Sequence, residues 1–399
     1  MTLRLLLFCL PLLLLTACED DDECKCSPLV PELDVPATYE FIRDGVSTVA
    51  FSGQTDRLAM VDELSASLKD FSSTEAELDA QFTNPEGADP FQNPDLNAST
   101  KSIRSKVAAS RDLFFADATN SAEIKADFDT WIAAQVNEVF PAQFELAAPG
   151  QPGRILDGDN TRYVDAKGRE YDQLIVKSLI GALSLDQAVN NYLRPSVLDE
   201  ADNREQNELA MTAEGKPYTT MEHKWDEAYG YVFGGQDDPA DPLPQLGSGD
   251  ALLNKYLGRV ENQGGFEGIA QQIYDAFRVG RAAIVAGEYD IRDRQAELIS
   301  ERLSQVVAVR AIYYLDAGAE RLAADPADRS GAFFHDLSEG YGFVYSLRFT
   351  RSASGQPYFT HAEVEDMLAQ LDAGNGFWDV EASTLAALSD RIRIVSASL

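Results

Sequence analysis

The segment HKWDEAYGYVFG at residues 223–234 is repeated as HDLSEGYGFVYS at residues 335–346. Aligned without gaps, the two segments share His, Glu, Tyr, Gly and Val at corresponding places. On a helix, residues four apart project from the same face, so each copy places its His one turn before its Glu. Small residues continue that face, and aromatic residues occupy the remaining sides. Each copy therefore predicts a buried helix that packs closely on a neighbour and carries a polar patch in its first turns.

Most of the remaining sequence also has a helical period. Residues 171–192 are apolar on almost every side, which is typical of a central helix. The turn signal Asp157-Gly158 marks one non-helical insert and predicts a β-hairpin near 154–170. We therefore predict an all-α, multi-helix fold of two bundle-like halves with this small hairpin. Further helical patterns lie near residues 52–69, 99–114, 121–139, 267–287 and 290–323.

The N-terminus has the features of an export signal. Arg4 precedes an apolar run, and Leu15-Thr16-Ala17-Cys18 resembles a bacterial lipobox, which implies lipid attachment at Cys18. The apolar run is shorter than the roughly 20 residues that a membrane-spanning helix needs. The sequence thus predicts four segments, with a single continuous folded domain as the alternative to the last two. They are a lipoprotein signal peptide at 1–17, an acidic, Pro-rich tether at 18–37, and helical halves at 38–245 and 246–399.

An acidic run follows the lipobox and bears on the cellular location. The five residues after Cys18 are all Asp or Glu, which resembles the signal that sends some lipoproteins to the outer face of the outer membrane. The alternative is a solvated tether that its own charge holds away from an anionic membrane. We predict a lipid-anchored protein of the outer membrane, on its periplasmic or its cell-surface face. Cys24 and Cys26 are too close together to form a disulfide framework for the fold.

The net charge limits the classes of partner. With 66 acidic and 33 basic residues, the formal charge at pH 7 is −33. Nucleic acid is excluded as a partner because its phosphates need a basic surface. Solubility and the capture of cations are both compatible with such acidity.

The repeated His and Glu residues suggest a metal site. Imidazole and carboxylate together suit iron, zinc or manganese. If the copies converge, His223, Glu227, His335 and Glu339 make a four-ligand set, with Asp226 as a further carboxylate. The alternative is that each buried His–Glu pair only satisfies its hydrogen bonds and fixes helix register. Neither copy has the His-Glu-x-x-His pattern of zinc proteases, and no catalytic residue is predicted.

Four stretches together resemble a known family. The segments TYEFIRDGVSTVAFSGQTDRL (38–58) and RYVDAKGREYDQLIVKSLIGAL (162–183), with the two His-containing segments, are similar to bacterial lipoproteins that carry a domain of unknown function. That family is distantly similar to imelysin-like proteins, which implies a double helical bundle and an association with iron uptake or peptidase activity. Imelysins carry a Gly-x-His-x-x-Glu motif. Here His223 matches its His, Asp226 stands at the Glu position and Met221 at the Gly position.

These observations predict a non-enzymatic outer-membrane lipoprotein with an iron-type metal site, acting in metal acquisition. A binding or scaffold lipoprotein of the cell envelope without a metal is the second hypothesis. A metallopeptidase is the third, and a set of metal ligands with a catalytic base is not visible in the sequence.

Overall fold

The computed structural model describes residues 33–352 and 354–396. The predicted signal peptide and most of the tether, including Cys18, Cys24 and Cys26, lie outside these residues. Asp34–Leu399 form one compact unit, and a boundary between two halves near residue 245 stays a prediction.

Helices dominate the described residues, which confirms the predicted all-α class. None of these helices has both the length and the apolarity needed to cross a membrane. The strands are β1 (Ile42–Arg43), β2 (Val46–Ser47), β3 (Gly153–Asp157) and β4 (Asn160–Val164). The helices are α1 (Ser52–Ser67), α2 (Glu75–Thr83), α3 (Pro94–Ala98), α4 (Arg111–Phe114), α5 (Ala118–Ala134), α6 (Tyr171–Leu179), α7 (Pro195–Leu198), α8 (Asn203–Glu208), α9 (Thr220–Phe233), α10 (Leu253–Glu261), α11 (Ile269–Ala286), α12 (Tyr289–Ala324), α13 (Gly331–Ser346), α14 (His361–Leu371) and α15 (Ala382–Ser396).

Two short β-hairpins each introduce a helix. β1 pairs with β2 and β3 with β4, both antiparallel, and the second pair confirms the hairpin predicted at 154–170. Asp44 and Gly45, between β1 and β2, both have positive φ (53° and 80°), as a tight hairpin turn requires. The first hairpin leads into α1, which packs on α9, and the second leads into α6, which packs on α13. Each repeated His helix thus lies against a helix that follows a hairpin.

The small residues of the repeat allow these close contacts, as the sequence predicts. A Cβ atom added to Gly342 on α13 would lie 2.5 Å from the Cβ of Lys177 on α6. One added to Gly181, which follows α6, would lie 2.5 Å from the Cβ of Ser346. Gly230 on α9 meets Phe51 at the start of α1 in the same way, at 2.5 Å. Side chains at these positions would therefore force the helices apart.

The central helix is confirmed, and one predicted helix is wrong. Leu174 to Val189 are buried on all sides, although π-type turns at Ile180–Leu185 and Ala188–Tyr192 interrupt the α-helical hydrogen bonding. Residues 99–114, predicted as a helix, form turns and only the short α4. Two backbone N–H groups of this segment donate to other segments instead, that of Ala108 to Ala182 O and that of Arg104 to Phe82 O.

Candidate functional site

His223 lies in the first turn of α9, beside the start of α1. The helix begins there because Thr219 and Glu222 form a reciprocal capping box. The Nδ1 atom of His223 lies 3.0 Å from Ala50 O, and a carbonyl can only accept, so Nδ1 carries the proton. The ring stacks on Tyr218 at 4.6 Å. Burial lowers the pKa of His223 despite the nearby Glu227 charge, so at neutral pH Nε2 is unprotonated and can accept a hydrogen bond.

Asp226 is a fully buried carboxylate with three partners. It accepts from Tyr39 Oη at 2.8 Å, from Ala50 N at 3.2 Å and from Arg281 Nε at 3.1 Å. Arg281 also donates to the buried Glu222 at 3.1 Å. Burial raises the pKa of Asp226 to about 6 even with Arg281 beside it. The Asp226 carboxylate therefore links α9 to α11 and to the segment that contains Tyr39 and Ala50.

Glu227 points to a different environment from Asp226. It accepts from Gln54 Nε2 at 3.1 Å and lies 3.6 Å from the Lys224 ammonium. Its side chain is 16% exposed, so it is accessible where Asp226 is not. His223 and Glu227 line one cavity, and the sequence prediction that they share a face is confirmed.

In the second copy, His335 contacts a carboxylate that the repeat does not contain. Its Nδ1 lies 2.7 Å from Glu170 Oε2 and 3.0 Å from Arg162 Nη1, and its Nε2 lies 3.9 Å from Glu339. Burial alone would lower the pKa of His335, but the hydrogen bond to Glu170 and the two carboxylate charges raise it. The surroundings of the two repeated histidines thus have opposite effects: they favour the neutral form of His223 and the protonated form of His335.

Glu339 is the buried counterpart of Glu227. Lys177 Nζ lies 3.1 Å away and Tyr256 Oη 3.2 Å away. Burial alone would raise the pKa of Glu339, but Lys177, the Tyr314 hydroxyl and His335 lower it to about 2. Its charge is therefore fully compensated by protein groups.

The two copies have different polar partners in the described part of the chain. Among residues 33–352 and 354–396, no hydrogen bond or ion pair joins α9 to α13. Within the same ranges, no three His, Cys, Asp or Glu side chains are grouped so that they could hold a metal ion. In these ranges, His223 contacts Ala50 O and Glu227 accepts from Gln54 Nε2, while His335 lies 3.9 Å from Glu339. A directly hydrogen-bonded His–Glu pair therefore stays a prediction, and so does a shared metal site.

A cavity of about 640 Å³ opens beside His223, between the start of α1 and the first turns of α9. Its charged lining is mostly basic, with Glu227 as the carboxylate that faces it. Such a concentration of positive charge contrasts with the formal −33 of the whole chain. The cations that line it are Arg57, Lys101, Lys106 and Lys216, and its aromatic residues are Tyr192 and Tyr218.

Arg57 is the most deeply placed of these cations, at only 5% exposure. Its Nε donates to Ser102 O and its Nη1 to Gly53 O, each at 3.0 Å. In the described part of the chain, no carboxylate lies within ion-pair distance of this guanidinium. A buried charge is costly unless an opposite charge compensates it, so the cavity presents an uncompensated cation.

The lysines increase this positive potential. Lys101, Lys106 and Lys216 form no ion pair with any carboxylate that the structure describes. Burial lowers the pKa of Lys106, and the charges of Arg57, Lys224 and Lys101 lower it further against the opposing effect of Glu227. An anion entering the cavity would relieve this repulsion. The arrangement can therefore bind an anion by charge and by hydrogen bonding.

The sequence pattern did not reveal this cluster. Its cations come from α1, from the irregular segment 101–106 and from the loop before α9. They are far apart in the chain and have no fixed spacing. Their isolation from carboxylates, the property that matters, exists only after folding.

A comparison with known protein families identifies the family of this chain. The sequence model of one family, described as a domain of unknown function (DUF4856), matches residues 36–395. Comparisons with curated proteins and with solved structures found no match. The matched residues include both hairpins, both His helices and the basic cavity, so the match extends over almost all of the folded chain. The protein belongs to the DUF4856 family.

Proposed function

We propose that this protein is a non-enzymatic binding lipoprotein of the bacterial cell envelope, and that it binds a small anion in the cavity beside His223. The observation that carries this proposal is the buried Arg57, which lines the cavity and has no carboxylate partner among the described residues. Guanidinium groups match the oxygens of phosphate, sulfate and carboxylate in geometry as well as charge. The ligand supplies the counter-charge that the protein lacks there.

The overall acidity of the chain is compatible with this proposal. At physiological ionic strength, charges separated by more than about 8 Å are largely screened. A small anion inside the cavity therefore responds mainly to Arg57 and its neighbouring lysines. The remaining acidic surface repels large polyanions such as nucleic acid, which restricts the site to ligands small enough to enter.

His223 and Glu227 add hydrogen-bond acceptors to a cavity whose cations are donors. The unprotonated Nε2 of His223 accepts a hydrogen bond, as does the Glu227 carboxylate. A ligand that has hydroxyl groups or a protonated acid oxygen beside its anionic group would satisfy both. The site thus favours a hydroxylated or partly protonated anion over a simple halide.

Metal acquisition, the function that the motif and the imelysin-like resemblance predict, is the second candidate. Both histidines have an Nε2 atom outside their short hydrogen bonds, and this is the observation that keeps the candidate open. The carboxylates of the set favour it less, because Glu339 and Asp226 already have basic partners. Iron, zinc or manganese content of the purified protein, compared with a His223→Ala/His335→Ala variant, tests it.

Anion binding is measured by calorimetric titration with inorganic phosphate, and with sulfate as a second probe. We expect saturable binding, and about tenfold weaker binding in Lys101→Gln, since a charge-assisted hydrogen bond contributes about 1.5 kcal/mol. Lys69→Gln is the matched control, because it removes the same charge from an exposed site outside the cavity. Equal affinity in the two variants, or no binding of either anion by the wild type, contradicts the proposal.

The envelope location has its own test. We expect cells grown with radioactive palmitate to label the wild-type protein and to leave Cys18→Ala unlabelled and released from the membrane fraction. Cys24→Ala, which changes a neighbouring thiol, keeps the label and the membrane association. Label retained in Cys18→Ala would refute lipid attachment at that residue.

A further inference from the structure

A second basic cavity adjoins the one beside His223. It has a volume of about 600 Å³ and lies between α5 and the segment that precedes α4. Lys106 and Tyr192 line both cavities. The two cavities are therefore adjacent at these two side chains.

Carboxylates pair with some, but not all, of the cations that line the second cavity. Arg104 pairs with Asp129 and Arg111 with Glu200. Lys125, in contrast, donates to the Ser121 hydroxyl at 3.0 Å, and among the described residues it has no ion pair. Burial lowers the pKa of Lys125, and the Arg104 charge lowers it further against the opposing effect of Asp186.

Two lysines lie beside the buried ring of Tyr192 where the cavities meet. Lys106 Nζ is 5.4 Å and Lys224 Nζ 5.6 Å from the centre of that ring. Each cation gains from the ring, but the two repel each other. Lys224 is 3.6 Å from Glu227, whereas Lys106 has no carboxylate partner in the described ranges. A negative group at this junction would compensate the excess charge of both cavities.

We infer that the two cavities form one site for an extended oligoanion, a molecule with two or more linked phosphate or sulfate groups. This inference rests on the proposed function and identifies the class of ligand. One anionic group occupies the cavity of Arg57, and a second lies across Lys106 and Tyr192, toward Lys125. Linking the groups makes the second contact intramolecular, so the longer anion binds more tightly than a single group.

The test compares probes of increasing length at constant ionic strength. Tripolyphosphate is titrated beside inorganic phosphate, and a trisulfated disaccharide beside inorganic sulfate. We expect at least one longer probe to bind the wild type at least about tenfold more tightly than its single-group counterpart. The series that gains more identifies phosphate or sulfate as the preferred group.

Variants locate the second contact. In Lys125→Gln we expect the ratio of the two affinities to fall toward one, whereas Lys69→Gln keeps the wild-type ratio. Binding of inorganic phosphate without a gain for either longer probe overturns this inference and leaves the proposed function standing. The same holds if Lys125→Gln keeps the wild-type ratio. Failure of every probe, short or long, overturns both.

Discussion

Replacing Arg281 by methionine is expected to lower the free energy of unfolding by about 3–5 kcal/mol. Arg281 is fully buried and donates to Asp226, Glu222 and Thr48 at 2.9–3.1 Å. Methionine fills much of the volume but leaves the Asp226 carboxylate buried without a cation. The Glu222 carboxylate keeps a cationic partner, because Arg43 still donates to both of its oxygens. Urea unfolding followed by circular dichroism measures the loss.

A surface arginine provides the comparison. Arg393 pairs with Asp316 and Asp390, and its side chain is 48% exposed, so Arg393→Met is expected to cost less than about 1 kcal/mol. Adding Asp226→Asn to Arg281→Met removes the stranded charge and recovers part of the lost stability. If the two arginine variants are equally stable, the buried network does not have the structural role assigned to it here.

The same network explains how far the sequence could predict the site. The repeat identified His223, Glu227, His335 and Glu339 as polar positions, with Asp226 beside the first pair. All of them lie on α9 or α13, two helices with many buried residues. Their partners could not be read from the repeat. Ala50, Glu170 and Arg281 come from segments far away in the chain, and only tertiary packing brings them into contact.

Helix positions were predictable where the apolar period is long. The stripe at 290–323 corresponds to α12 (Tyr289–Ala324), and the pattern at 267–287 to α11 (Ile269–Ala286). The failure at 99–114 has a tertiary cause, since two of its backbone N–H groups donate to Phe82 and Ala182, which are distant in the chain. Periodicity cannot report such a bond, because it records which side chains are apolar and not where a carbonyl lies.

The two copies of the repeat also have different surroundings, although their sequences are similar. Position four after each His is Glu, but Glu227 faces a cavity while Glu339 is enclosed. The difference arises on the opposing helix. α6 places Lys177 against Glu339, whereas α1 places the neutral Gln54 against Glu227. A duplicated motif therefore became a structural ion pair in one copy and part of an open basic cavity in the other.

The enclosed pair leads to the second large effect: Lys177→Met is expected to destabilise the protein by about 3–5 kcal/mol near pH 8. In the wild type the pKa of Glu339 is lowered from 4.5 to about 2. The contribution of Glu339 to the free energy of unfolding is thus complete above pH 4.5 and is lost only as the pH falls toward 2. Without Lys177, the effect of burial is opposed only by the Tyr314 hydroxyl and His335, so we expect the pKa of Glu339 to rise. The variant then gains stability on acidification, because protonation removes the stranded charge.

Urea unfolding of the wild type and Lys177→Met at pH 8 and pH 5 measures this reversal. The difference between the two proteins should be larger at pH 8, since a Glu339 carboxyl with a raised pKa binds a proton more readily at pH 5. The double variant Lys177→Met/Glu339→Gln has no carboxylate to strand, so its stability relative to the wild type should change less between the two pH values. An equal loss for Lys177→Met at both pH values would mean that packing, and not the charge of Glu339, makes Lys177 necessary.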